Sequence, residues 1–165
     1  MKKLLSLLLL AAALLCLASC GGEPEIPTDV DFAACLVTDT VGGMLTVTGT
    51  TELGRSQSVL VIPAAIDGVP LKAIAEGAFD GCQKLKTIYI NVDSSISYLN
   101  NGAFKGAISL SRIVIGKKHT EITVSNGLMD GAASGAKISV PAEYFADYTT
   151  DYQWGAFSAR IVKQS

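Results

Sequence analysis

The sequence predicts an α/β solenoid of about three stacked 25-residue coils, preceded by a β-hairpin and followed by a helical, aromatic-rich segment. Two observations predict the coils: a repeat with a 25-residue offset, and apolar residues at the same places in each copy. A third observation predicts the terminal segment, because six of the eleven aromatic residues fall between Tyr144 and Phe157.

The repeat is visible without any alignment. Gly77-Ala78-Phe79 returns as Gly102-Ala103-Phe104 and, altered, as Gly127-Leu128-Met129. The same offset relates four further columns, which are Ile74, Leu99 and Val124; Gly81, Gly106 and Gly131; Ile88, Ile113 and Ile138; and Ile90, Ile115 and Val140. The pattern L-x-x-L-x-L occurs at 85–90 and 110–115, and this period and pattern indicate leucine-rich repeats. A single coil cannot bury its apolar face, so the coils must stack.

Within each coil, alternation assigns the side chains to faces. In the strand after Leu85, Ile88 and Ile90 are expected to point inward while Thr87 and Tyr89 point outward. A column of Phe79, Phe104 and Met129 is expected on the opposite wall. Gly77 and Gly102 are expected to permit a tight bend.

The first 20 residues predict export. Lys2 and Lys3 precede a 14-residue apolar run, which fits a signal peptide over 1–19. The alternative, a membrane-spanning helix, needs roughly 20 apolar residues. Leu17-Ala18-Ser19-Cys20 resembles the bacterial lipobox, which implies cleavage before Cys20, lipidation of its thiol and membrane attachment through that lipid. Ordinary cleavage without a lipid is the alternative.

The mature chain of 146 residues would carry 11 basic and 15 acidic residues, a formal net charge of −4. This balance argues against a nucleic-acid partner. The predicted location is the cell envelope, lipid-anchored and extracytoplasmic, either at the cell surface or on a periplasmic face.

The remaining divisions follow from composition. Residues 20–28 form the lipidated Cys and a Gly- and Pro-containing tether that spaces the domain from the membrane. Residues 29–57 form an N-terminal β cap, with strands at 32–38 and 44–48 around a turn at 39–43. The solenoid covers 58–140 and starts with a strand at 58–62. Residues 141–165 form the C-terminal cap, with a short helix over 142–152.

Two cysteines, Cys35 and Cys82, remain in the body of the mature chain. Buried thiols are the favoured interpretation, because Cys is among the most buried residue types. A Cys35–Cys82 disulfide is the alternative, since exported proteins can oxidise their thiols.

Three stretches of the sequence resemble the BspA-type leucine-rich-repeat family. They are residues 60–70, the stretch from Gly77 to Leu85, and the ending at 140–144 together with Tyr148 and Trp154. The resemblance covers about residues 44–162. It implies a surface or secreted binding module, in several members linked to adhesion, and names no partner. It also implies that Cys82 is a core residue. The third copy departs from the pattern at Gly127-Leu128-Met129 and lacks a Cys after Gly131.

The sequence predicts no enzymatic activity, cofactor or metal site. His119 is the single histidine and no Cys-x-x-Cys occurs, so no zinc site is predicted. Nucleophile-elbow, P-loop and dinucleotide-binding motifs are absent from the sequence. Lys117-Lys118-His119 is interpreted as a solvated turn rather than an anion site.

The predicted function is protein binding through the outward strand positions. Tyr and Arg are enriched at interfaces. The proposed contacts are Thr87, Tyr89, Arg112, Val114, Lys137 and Ser139, with Val59 and Val61 beside them. A merely solvated sheet is the alternative for this face. A glycan ligand stacked on the C-terminal aromatics is the alternative function, although covering the open end of the solenoid is the favoured role of those rings.

Overall fold

The computed structural model describes residues 24–164, so the predicted signal peptide and the lipidation of Cys20 lie outside it. The strands and α-helices in chain order are Leu36–Val41 (β1), Met44–Thr50 (β2), Glu52–Ser56 (α1), Val59–Val61 (β3), Ala65–Ile66 (β4), Val69–Ile74 (β5), Thr87–Ile90 (β6), Tyr98–Leu99 (β7), Arg112–Ile115 (β8), Thr123–Val124 (β9), Lys137–Val140 (β10), Phe145–Thr150 (α2) and Ile161–Lys163 (β11). Short 3-10 helices occupy His119–Glu121, Ala142–Tyr144 and Trp154–Arg160.

The strands form two sheets. The first has the order β1-β2-β5-β7-β9, with β4 paired to β5, and the second has the order β3-β6-β8-β10-β11. Neighbours are parallel except in the pairs β1–β2 and β4–β5. From β5 to β10 the chain enters the two sheets alternately, so each turn of the chain adds one strand to each sheet.

The sequence repeat is the structural repeat. In the second sheet Thr87 pairs with Arg112, and Arg112 pairs with Lys137. In the first sheet Ile74 pairs with Leu99, and Leu99 with Val124, at the same 25-residue spacing. The chain is therefore a mixed α/β repeat with parallel strands. Beyond the predicted hairpin of β1 and β2, the first sheet was not predicted, because β7 and β9 have two residues each and show no alternation.

The core lies between the two sheets. The inward strand positions are buried as predicted, namely Ile88, Ile90, Ile113, Ile115, Ile138 and Val140. The rings of Phe79 and Phe104 stack with centroids 5.9 Å apart and planes inclined by 9°. Met129, the third member of the predicted column, is 7% exposed and belongs to the same core. Gly77 and Gly102 both adopt positive φ, at 68° and 57°.

The two ends of the stack differ from the predicted boundaries. The hairpin starts later than predicted, because residues 32–35 form turns and Gly42–Gly43 makes the connection. The helix predicted over 142–152 is a 3-10 turn followed by the six residues of α2. Strand β11 was not predicted, and it extends the second sheet beyond β10. Within residues 24–164, no helix has the length and apolar character needed to cross a membrane.

Candidate functional site

The register of the second sheet brings the six predicted contact residues together on one face. Thr87, Arg112 and Lys137 form one row across β6, β8 and β10, and Tyr89, Val114 and Ser139 form the next row. The two rows are two residues apart along each strand, so they share a face by the pleat of the sheet. We call this surface the outward face of the second sheet.

This face is largely covered, which corrects the prediction that all six residues are exposed. Thr87, Tyr89, Val114 and Ser139 are 2%, 4%, 6% and 1% exposed. Arg112 is half-buried and Lys137 is exposed. Their part in binding a partner stays a prediction.

Three features of the outward face explain the burial. Val59, Tyr89 and Val114 form an apolar cluster separate from the main core, with Val61 packed against it. The additional strand β11 flanks β10, and the amide of Gln164 donates to the carbonyls of Ile115 (2.9 Å) and Ser139 (3.2 Å). The third feature is a segment of the chain's own N-terminal region.

That segment is Pro24–Pro27, which we call the N-terminal strap. The Tyr89 hydroxyl donates a hydrogen bond of 2.9 Å to the carbonyl of Pro24. Ile26 lines a groove of about 530 Å³ with Tyr89, Val114 and Gln164. The described part of the predicted tether therefore lies against the domain, which corrects the expectation that residues 20–28 act only as a spacer.

Two basic residues, Lys86 and Arg112, lie beside the point where Pro24 of the strap meets the sheet. A hollow of about 240 Å³ lies between Pro24 and the side of the sheet formed by Lys86, Thr87 and Arg112. Lys137 continues the row, and its ammonium group donates to the carbonyl of Ala159. Glu25, the residue after Pro24, is exposed.

Three of the six C-terminal aromatics, Tyr148, Trp154 and Phe157, are buried in the core, whereas Tyr152 is 88% exposed. Tyr148 and Trp154 are fully buried, with ring centroids 4.8 Å apart in an edge-to-face arrangement. The Tyr148 hydroxyl donates to the carbonyl of Lys117 (2.8 Å), and the Trp154 indole donates to the carbonyls of His119 and Ile122. Burial raises the pKa of Tyr148, and the charge of Glu121 raises it further. These two rings are therefore unavailable for stacking on a sugar.

Lys117 is not part of a solvated turn, which corrects the interpretation of the short basic run. Its side chain is buried, and the ammonium group donates to the carbonyls of Ser94 (2.8 Å) and Ile96 (3.1 Å). The carboxylate of Glu121 lies 3.7 Å away. Lys118 is exposed and lies over the ring of Tyr144, 5.5 Å from the ring centroid. Lys117 thus joins two coils instead of offering an anion site.

Cys35 and Cys82 are buried free thiols, as favoured from the sequence. The Cys82 sulfur lies 3.1 Å from the hydroxyl of Thr50. Burial raises the pKa of both thiols, so neither has the character of a reactive cysteine. Among residues 24–164, no group of three or more His, Cys, Asp or Glu side chains is arranged to hold a metal ion.

Comparison with known proteins gives structural neighbours only. No protein-family model matches the chain, and no curated protein matches it. A leucine-rich repeat protein from Bacteroides ovatus is similar in structure, with a TM-score of 0.37, 16% identity, and coverage of 66% of this chain and 37% of that one. The leucine-rich repeat protein of T. pallidum has a TM-score of 0.39 and 17% identity, over 85% of this chain and 81% of that one.

Both neighbours are leucine-rich repeat proteins. This chain spans little more than a third of the length of the Bacteroides protein. Similarity at this level says nothing about activity or partners. The repeat architecture described above stands on the 25-residue register of the chain itself.

Proposed function

We propose that this chain is a lipid-anchored, extracytoplasmic binding module of the BspA-type leucine-rich-repeat class, which contacts a protein partner through the outward face of its second sheet and catalyses no reaction. One observation carries the proposal. The outward face holds an apolar cluster of Val59, Tyr89 and Val114 that is separate from the core. These side chains are only 4–6% exposed beneath the chain's own segments, so a partner meets the cluster by displacing that cover. Apolar side chains on the far side of a sheet are typical of a surface that packs against another segment of chain.

The size of the outward face sets the expected strength of binding. Five strands about 4.8 Å apart make a face roughly 19 Å across. The strands are only three or four residues long, so the face is much smaller than the roughly 800 Å² per partner of a stable interface. A single domain should therefore bind weakly, and many copies on one membrane would gain strength by multivalency.

The anchor is tested on the native protein. Mass spectrometry of the mature N-terminus should find a lipidated Cys20, because the apolar run and Leu17-Ala18-Ser19-Cys20 fit a lipoprotein signal. The Cys20→Ala variant should lose acylation and either leave the membrane or retain its signal segment. An unmodified N-terminus at another residue in the native protein would falsify this part of the proposal.

The binding face is tested by retention of partners on immobilised mature protein. Envelope extracts, host matrix proteins and glycans are the three pools, and a partner counts only when its retention depends on the outward face. Arg112→Glu should reduce retention at least fivefold, because Arg112 is half-buried on the same face of β8 as Val114 of the apolar cluster. Lys84→Glu is the matched control, since it reverses the charge of an exposed residue outside every strand. An equal loss of partner retention in both variants would exclude the outward face as the binding site.

A further inference from the structure

We propose that the groove beside Tyr89 and Val114 receives an extended, apolar, proline-containing segment of a partner protein, and that the N-terminal strap occupies this groove until the partner displaces it. The inference rests on the proposed function, because it concerns the same face. The inference names the chemical kind of the ligand. It also proposes that the strap takes the place of this ligand in the groove while no ligand is bound.

The first support is the hydrogen bond between the strap and the sheet. The Tyr89 hydroxyl donates to the main-chain carbonyl of Pro24, a residue 65 positions earlier in the chain. A backbone carbonyl is present in every extended peptide. Another chain lying along the same path could therefore accept the same hydrogen bond.

The second support is the incomplete filling of the groove. Ile26 is the one large apolar side chain that the strap supplies, and it remains 40% exposed. Val92 lines the same groove and is 74% exposed. A segment with a larger apolar residue at this point would bury more apolar area than Ile26 does, and its binding would gain accordingly.

The third support is the character of the strap. Pro27 restricts the preceding Ile26 to extended backbone conformations, so little conformational entropy is lost when the segment lies down on the sheet. Glu25 follows Pro24, and Lys86 and Arg112 border the hollow beside Pro24. The charged residue that lines the groove itself is Asp93, and the basic residues lie in the separate hollow beside Pro24. A proline-containing segment is thus matched to the groove in backbone shape and apolar content.

The test separates the strap from its groove within the full mature chain. Ile26→Asp puts a carboxylate against the apolar groove and should release the strap, whereas the fold should persist because Ile26 lies outside every strand. A fluorescent peptide with the sequence of residues 22–29 is then titrated against the parent and the variant by anisotropy. The variant should bind this peptide about tenfold more tightly than the parent, because the parent strap competes at high effective concentration.

Two further variants identify the groove as the site. Adding Tyr89→Phe to the Ile26→Asp chain removes the hydroxyl donor and should weaken peptide binding several-fold. Adding Tyr98→Phe instead should leave binding unchanged, because Tyr98 is exposed on the first sheet. A peptide with Asp in place of its Ile should fail to bind either chain.

Each remaining outcome overturns the inference. Equal binding of the peptide to parent and Ile26→Asp would mean that the strap does not compete for the site. No binding to either would mean that the groove does not accept such a segment, and sedimentation showing dimers that Ile26→Asp dissolves would assign the strap to a second copy. Arg112-dependent retention of a partner would still support the proposed function in all three cases.

Discussion

Phe104 is a large core side chain at the centre of the stack. It is fully buried in the middle coil, and its ring lies on that of Phe79. Phe104→Ala should lower the free energy of unfolding by about 3–5 kcal/mol, because truncation of a large core aromatic leaves a cavity. Urea denaturation measures this loss.

Ile108→Ala is the matched control for Phe104→Ala. Ile108 belongs to the same coil and is 66% exposed. Its truncation should change stability by less than about 0.5 kcal/mol. Similar midpoints for the two variants would show that the Phe column is not the core of the repeat.

Tyr148 makes stability depend on pH in the alkaline range. Its pKa is raised in the folded chain, so ionisation disfavours the fold only above the ordinary tyrosine pKa of about 10. The free energy of unfolding should be insensitive to this group below pH 10 and should fall above it, by up to about 1.4 kcal/mol per pH unit. Denaturation between pH 9 and pH 11 measures the slope.

Comparison of two phenylalanine variants assigns the slope to Tyr148. Tyr148→Phe should flatten the alkaline decline, and at neutral pH it should cost about 1–3 kcal/mol because the carbonyl of Lys117 loses its donor. Tyr152→Phe should behave like the parent, since Tyr152 is 88% exposed. A parent-like slope in Tyr148→Phe would contradict the assignment.

At the scale of the element, the turns between strands are fixed by contact with the neighbouring coil. Gly106 has φ of +82°, and a Cβ atom there would lie 2.8 Å from the Cα of Asp80 in the preceding coil. Gly106→Ala should therefore destabilise by more than about 2 kcal/mol, since backbone of two coils must separate. Thermal melting of the variant measures this loss of stability.

The Gly77→Ala variant distinguishes the energetic cost of backbone strain from the cost of the steric clash at Gly106. Gly77 also has positive φ, at +68°, but a Cβ atom added there would have no other atom within 4 Å beyond its chain neighbours. Only the left-handed strain of about 1–2 kcal/mol should appear. If Gly77→Ala proved as damaging as Gly106→Ala, the close approach of the coils would not be the cause.

Two kinds of strand could be predicted: those whose side chains repeat, and those bounded by turn residues or proline, which are β1, β2 and β3. Strands β6, β8 and β10 were found because Ile88 and its counterparts recur every 25 residues. Strands β7 and β9 were missed, since two residues carry no alternation. Strand β11 was missed because it follows the last repeat and is defined by its pairing with β10.

The coverage of the outward face could not be predicted for a related reason. Alternation places Tyr89 and Val114 away from the core, and it carries no information about a segment that returns to them from far along the chain. The contact between Tyr89 and Pro24 joins residues 65 positions apart. Only the packed structure shows that these outward positions are closed.

At the scale of the whole molecule, a stack of coils loses stability from its ends. Tyr148, Trp154 and Phe157 join the main core where the repeats finish. Trp154→Ala should therefore accelerate amide exchange in β10 and β11 more than in β1 and β2, because each coil depends mainly on its neighbours. Hydrogen exchange with mass spectrometry resolves the two ends, and uniform acceleration would indicate that the chain unfolds as one unit.

The docked strap also sets how far the domain can stand from a bilayer. If Cys20 carries the proposed lipid, three residues lie between it and Pro24, and the four Cα–Cα steps span at most about 14 Å when fully extended. With the strap released, the first residue packed against the core is Val30, ten positions after Cys20, and the reach grows to about 35 Å. An anchored domain with its strap docked would lie against its own membrane, and displacement of the strap would let it sample the space above the membrane. Occupancy of the groove would thus decide which neighbouring molecules the domain meets.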